Sequence, residues 1–127
     1  MTGQEILDRI ADAALETLFL PREIVMAELR TWEVEPHWRD GRVYGAVLRR
    51  GAELHFATFD GVPIGRRTVA AALRPQLDRF GYVETRTPRH ARRQQRFNEA
   101  IGFRAVGGGP HDIHYRMEKA QCRLPLQ

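Results

Sequence analysis

The sequence predicts an α/β fold of the mixed (α+β) kind: a mostly antiparallel, twisted sheet flanked by helices, with two further helices at the N-terminus. Three observations predict it. Apolar residues recur at helical spacing as far as Trp32, then switch to strand-like alternation from Glu33. Two turn signals, Asp40-Gly41 and Arg50-Gly51, separate three consecutive strand-like runs. Beyond these runs, helical and strand patterns alternate over residues 66–118.

A length of 127 residues suits one domain, with a core over residues 34–118 and a tail over 119–127. Hydrophobic residues at 43% are enough to build that core. A formal net charge of +4 permits an anionic partner without demanding one. The single cysteine, Cys122, rules out an internal disulfide framework and suits a reducing compartment. The N-terminus has no basic segment leading into an apolar run, and no run approaches membrane-spanning length. The expectation is a soluble, cytoplasmic protein, or one packaged from inside a cell.

Thr2 and Glu5 fit a capping box, with a hydroxyl at the N-cap and a carboxylate three residues on. Ile6, Leu7, Ile10, Ala13, Ala14 and Leu18 then predict a helix over residues 3–19. Pro21 suits the first position of a second helix, which carries Ile24, Val25, Leu29 and Trp32. Val34, Pro36 and Trp38 alternate with charged residues, as in an edge strand that tolerates proline. Residues 42–50 are apolar on both faces and predict a central strand. Residues 52–59 form the third strand, with Leu54, Phe56 and Thr58 on one face and Glu53, His55, Ala57 and Phe59 on the other. A turn over residues 60–65 leads into a helix over 66–80, where Val69, Leu73, Leu77 and Phe80 stack on one face. Pro75 inside it removes the bond to the Ala71 carbonyl and bends the axis. Gly81 stops the helix, and residues 82–86 form a strand. Thr87-Pro88 reads as the cap and first turn of a helix over 88–101. A strand over 103–106, a turn over 107–112, a strand over 113–118 and a loose tail complete the chain.

Chemistry concentrates on the third strand and the turn and helix that follow it. A turn lined with backbone N–H groups that runs into a helix N-terminus presents unpaired donors and partial positive charge to a phosphate. The plain alternative is a connection that needs glycine only for its backbone angles. Glu53 and His55 share a strand face, and Glu84 stands on the next strand. Each can take up a proton as a general base; the alternative is a set of solvent-facing carboxylates and a hydrogen-bonded imidazole. Arg86, Arg89, His90, Arg92, Arg93 and Arg96 crowd the beginning of a helix, where positive charge opposes the macrodipole. That arrangement fits an anionic neighbour or a solvated basic face. Aromatic interleaving and a recognition helix are both lacking, which argues against nucleic acid. His111, Asp112 and His114 straddle a turn and a strand without a fourth ligand, so they read as a polar turn rather than a zinc site. Trp32 and Trp38 read as packing residues, or as part of a partner surface.

A meander of strands, then helix, strand, helix and two strands, is the element order of the GNAT N-acetyltransferase superfamily. The run Arg96-Phe97-Asn98-Glu99-Ala100-Ile101-Gly102-Phe103 resembles the end of that superfamily's last helix, where an aromatic is followed by a Gly-Phe pair opening a strand. The likeness covers residues 34–118. Chain length and the spacing from Phe97 to Gly102 also resemble small phage-encoded members, including internal virion proteins with a degenerate acetyltransferase-like domain. The resemblance implies a GNAT-like sheet with acetyl-CoA between two splayed central strands. It places backbone groups of Phe56, Ala57, Thr58 and Phe59 on the pantetheine arm, and Gly61, Ile64, Gly65, Arg66, Arg67 and Thr68 at the pyrophosphate. In the family's loop pattern, Gln/Arg-x-x-Gly-x-Gly/Ala, Gly65 matches the first glycine, and Val62 and Arg67 depart at the other two positions. Arg66 and Arg67 offer guanidinium groups to phosphate instead. Asn98, expected beside the cofactor, stands where the family often has a tyrosine that protonates the departing thiolate.

Two readings of function stay open at this point. One is an acyl-CoA-binding N-acetyltransferase that moves an acyl group from acetyl-CoA to an amine, with Glu53, His55 or Glu84 as base and much of the rate coming from positioning. The alternative is a non-catalytic GNAT-derived structural protein that docks in a phage assembly, which the departures at Val62, Arg67 and Asn98 favour. Neither reading calls for a metal or a membrane.

Overall fold

The computed structural model describes residues 2–15, 20–59 and 64–125, with side chains as far as Asp12 in the first of these segments. Four α-helices and six strands are described, and the strands are hydrogen-bonded in the order β1-β2-β3-β4-β6-β5. The mixed, mostly antiparallel fold expected from the sequence is the one observed. The chain divides into two compact units, residues 1–50 with 55–64 and residues 51–54 with 65–127. The third strand, β3 (Glu53–Thr58), contributes to both.

The first unit holds α1 (Gly3–Leu15), α2 (Arg22–Leu29), β1 (Glu33–Arg39), β2 (Arg42–Arg50) and the end of β3. The Thr2 hydroxyl accepts the Glu5 N–H at 3.1 Å, as the capping signal predicts, and donates to the Glu5 carboxylate at 3.2 Å. The expected continuation of α1 over residues 16–19 lies outside the described residues. Pro21 is the N-cap of α2 rather than its first residue. The helix stops at Leu29, short of Trp32, because Thr31 and Trp32 tighten into bonds three residues back, to the Glu28 and Leu29 carbonyls. Arg22 ties the two helices together through Asp12 at 2.6 Å and Asp8 at 3.3 Å. Ile6, Ile10, Val25, Met26 and Leu29 of the helices cluster with Val43, Ala46, Leu48 and Phe59 of the strands. β1 and β2 pair antiparallel, with a bulge that sets His37 against Gly45 and Trp38 against Val43.

The second unit holds the start of β3, α3 (Arg66–Phe80), β4 (Tyr82–Pro88), α4 (Arg92–Ile101), β5 (Arg104–Gly108) and β6 (Asp112–Glu118). β3 and β4 pair in parallel at Glu53 and Glu84, and the Glu84 N–H reaches the Ala52 carbonyl at 2.9 Å. Pro75 is accommodated within α3, and Gly81 terminates it with φ +79°. The helix expected to open at Pro88 begins instead at Arg92. A residue before proline is driven to extended geometry, so Thr87 prolongs the strand, and Pro88 pairs with Asp112 at its end. β5 likewise runs on to Gly108, leaving a shorter turn than expected.

Residues 119–124 are not a loose tail. Lys119–Gln121 form a 3-10 turn whose Gln121 side chain accepts the Glu118 N–H at 2.9 Å. The Arg123 N–H donates to the Ile101 carbonyl at 2.8 Å, and Leu124 is buried. Lys119 meets Asp78 at 2.6 Å and holds that carboxyl below its ordinary range.

Strand alternation sorts the second unit's sheet into two faces. Val83, Thr87, Tyr115 and Met117 are buried. The Asn98–Thr87 hydrogen bond places α4 on that side. Tyr82, Glu84, Arg86, His114 and Arg116 alternate onto the other face. Burial, reinforced by the nearby Glu99 carboxylate, raises the Tyr115 phenol above its ordinary value. The folded protein therefore holds this proton where the unfolded chain releases it. Stability from this group is complete below about pH 10 and is lost as pH rises through the higher folded value. Urea unfolding at rising pH should show a fall in stability that Tyr115→Phe makes shallower. An identical alkaline profile in the variant would contradict the assignment.

Candidate functional site

The sequence places its candidate residues on three pieces of structure. The first is the N-terminus of α3. Gly65 is the N-cap, with extended geometry (φ −70°, ψ 157°), and it has no side chain to satisfy the first helical N–H groups. The first intrahelical bond is Val69 N–H to the Gly65 carbonyl, so the N–H groups of Arg66, Arg67 and Thr68 lack helical partners. No acidic residue occupies the first turn. Arg66 and Arg67 are exposed, and Ile64 and Thr68 are half-buried. Gly61, together with Asp60, Val62 and Pro63, lies outside the described residues.

The second piece is the end of β3. The Phe59 N–H donates to the Tyr44 carbonyl at 3.0 Å, and its ring is buried beneath the Arg9 guanidinium at 4.9 Å. Strand alternation then turns the backbone groups of Ala57 and Phe59 toward β2, and those of Phe56 and Thr58 toward the opposite edge. Of the four residues expected to serve a pantetheine arm, Phe59 thus has its amide committed, and Phe56 and Thr58 are better placed. A Cβ at Gly45 would come within 2.7 Å of the Ala57 carbonyl oxygen, so glycine is what lets β2 approach here. His55 sets its ring edge against Trp32, with centroids 5.0 Å apart. Trp32 in turn carries the Arg50 guanidinium at 4.2 Å.

The third piece is the polar face of the second unit. The pairing registers align Glu53, Glu84, Arg116 and Arg104 across four strands, two carboxylates followed by two guanidiniums. Glu84 Oε1 lies 3.5 Å from His114 Nε2 and 3.9 Å from the Arg116 guanidinium. Arg116 also lies over the Tyr82 ring at 3.9 Å and meets Glu118 at 3.0 Å. Glu84 and His114 are about one-quarter to one-third exposed, sheltered yet open to solvent. The sequence reading took His114 as part of a polar turn and did not pair it with Glu84, since only the strand pairing brings the two together. The signal available was the alternation of His114 and Arg116 in the last strand.

Asn98, expected beside a cofactor, is buried and hydrogen-bonded within the second unit. The residue is 3% exposed. It donates to the Thr87 hydroxyl at 2.8 Å and accepts from Gln94 at 3.0 Å. The demands of a buried amide are met within the unit, which pins α4 to β4. Arg86 lies 3.7 Å from Asp112, and Arg89 donates to the Gly109 carbonyl, so part of the basic cluster serves the β5–β6 turn. The Asp112 carboxylate accepts the Gly109 N–H at 3.1 Å. Among the described residues no group of His, Cys, Asp or Glu is arranged to hold a metal, and no helix is long and apolar enough to cross a membrane.

No family model matches the chain, and no curated protein matches it by sequence. Solved structures do match. A ribosomal-protein-alanine N-acetyltransferase from Brucella melitensis superposes with a TM-score of 0.68 at 15% identity, covering 91% of this chain and 93% of that one. An acetyltransferase from Bacillus subtilis in complex with CoA gives 0.66 at 14% identity over 93% of each chain. A GNAT family acetyltransferase from Elizabethkingia anophelis with acetyl-CoA bound gives 0.64 at 14% identity, over 87% and 88%. The chain has the GNAT fold. At these identities the likeness carries the architecture alone, and it does not carry the resemblance to phage-encoded virion proteins. Within the GNAT frame, α3 is the helix whose N-terminus follows the third strand, and Glu84 lies on the strand paired in parallel with it.

Proposed function

We propose that this GNAT-fold chain binds an acyl-CoA, such as acetyl-CoA, and passes the acyl group to an amine. The observation that carries the reading is the N-terminus of α3, which lacks a side-chain cap and an acidic residue and presents Arg66 and Arg67. A helix start of this kind suits a pyrophosphate through its N–H groups, its dipole and its guanidiniums together. Support comes also from the fold shared with structures that hold CoA or acetyl-CoA. Gly65 and Thr68 complete the described part of this helix start in the second unit.

An ammonium cannot attack a thioester until it loses a proton. Glu84 takes that proton, directly or through water, with His114 and Arg116 orienting its carboxylate. Glu53, its register partner, is the second candidate base. His55, set against Trp32, is the third. The amine nitrogen bonds to the acyl carbon, the carbon–sulfur bond breaks, and CoA leaves as the thiolate, which solvent protonates. Holding the two reactants together supplies much of the acceleration.

Calorimetry with CoA and acetyl-CoA tests the proposal. Saturable heat is expected from both, and Arg66→Ala with Arg67→Ala should weaken binding about tenfold, as expected for lost charge-assisted contacts. Absence of heat at about millimolar ligand would dismiss acyl-CoA binding whatever the fold.

A further inference from the structure

The first unit contains a groove of about 830 Å³ that the acyl-CoA reading does not use. Val43 and Phe59 form its apolar floor, both 3% exposed, and Trp38 stands in its wall 52% exposed. Three guanidiniums reach it from three elements: Arg9 from α1, Arg39 from β1 and Arg42 from β2. Two of them are held flat against rings, Arg9 over Phe59 at 4.9 Å and Arg39 over Tyr44 at 4.8 Å. Stacked in this way, the Arg39 guanidinium keeps its edge for a bidentate acceptor.

The hairpin between β1 and β2 adds an independent observation. Asp40 (φ +52°) and Gly41 (φ +76°) make the two-residue turn that twisted strands favour. The pair closing that turn is Arg39 against Arg42. Like charges directly opposite on paired strands repel. Among the described residues neither arginine has a carboxylate partner. The turn chemistry is favourable and the flanking pair is not, which is the pattern of a site whose anion comes from outside. Glu5 and Asp40 also line the groove and offer carboxylates to an ammonium.

We propose that this groove binds a small aromatic amino acid or amino-acid-like zwitterion, its carboxylate on Arg39 and Arg42 and its ring against Trp38. The carboxylates of Glu5 and Asp40 draw the amine. An aromatic amine without a carboxylate leaves the arginine pair unanswered.

The test uses the full chain, labelled with nitrogen-15, titrated with L-phenylalanine and separately with phenethylamine while the Trp38 indole N–H is followed by NMR. Saturable shifts at Trp38, Arg39 and Arg42 are expected with L-phenylalanine, and at least about tenfold weaker binding with phenethylamine. The double variant Arg39→Gln, Arg42→Gln should lose about tenfold in L-phenylalanine affinity at unchanged Tm and unchanged CoA heat. Failure of L-phenylalanine to saturate by about 10 mM overturns the site, as does equal binding of phenethylamine or indifference of the double variant. Loss of CoA binding in the wild type removes the acyl-transfer reading separately, because the Trp38 titration contains no CoA.

Discussion

Gly102→Ala is expected to cost about 3 kcal/mol or more, lowering Tm by roughly 10 °C or more. Gly102 follows α4 with φ +121°, a conformation that L side chains rarely adopt. A Cβ there would meet the Gln121 carbonyl oxygen at 2.1 Å and its carbonyl carbon at 2.9 Å. Both are backbone atoms and have no rotamer with which to move aside. Relief requires residues 119–124 to lift, which exposes Leu124 and breaks the Arg123–Ile101 hydrogen bond. Gly81→Ala is the matched control. It has φ +79° and nothing within 4 Å of the added atom, so only the backbone penalty of about 1 kcal/mol applies. Thermal unfolding of the two variants should differ clearly, and hydrogen exchange at the Arg123 amide should accelerate only in Gly102→Ala. Equal losses would show that the C-terminal strap is not what the glycine accommodates.

Glu84→Gln is expected to lower kcat and kcat/KM together by about 100-fold in acetyl transfer, while leaving the heat of CoA binding in place. The amide keeps the shape of the carboxylate but cannot accept the amine's proton. His114 and Arg116 on the neighbouring strand keep their backbone pairing, so the substitution should alter Tm little. His114→Gln should reduce the rate less, because it changes the orientation of the base and not the base itself. The measurement is initial rate against acceptor concentration once an accepting amine is in hand. A variant within about threefold of wild type would move the role to Glu53 or His55.

The GNAT order was legible before any coordinates because it rests on local physics. Helical spacing in residues 66–80, the Asp40-Gly41 turn and the Gly-Phe pair at Gly102-Phe103 are each short-range signals. One of the missed boundaries, Pro88, failed where pre-proline geometry and a long-range pairing act together. Its local grammar is that of a helix start, yet pairing with Asp112 across β6 keeps it in the strand. Asn98 also has a partner that its local sequence does not reveal. Its position in the motif implied a cofactor neighbour, and only packing against β4 reveals Thr87 as its partner.

By itself the sequence determined the elements, their order and the uncapped start of α3, since propensity, periodicity and capping act over a few residues. Tertiary structure alone decided which groups meet: His114 with Glu84, Asn98 with Thr87, and the Gln121 carbonyl over Gly102. Those meetings depend on strand register and chain reversal, which bring together residues as many as thirty apart, and nothing in their local spacing encodes the encounter.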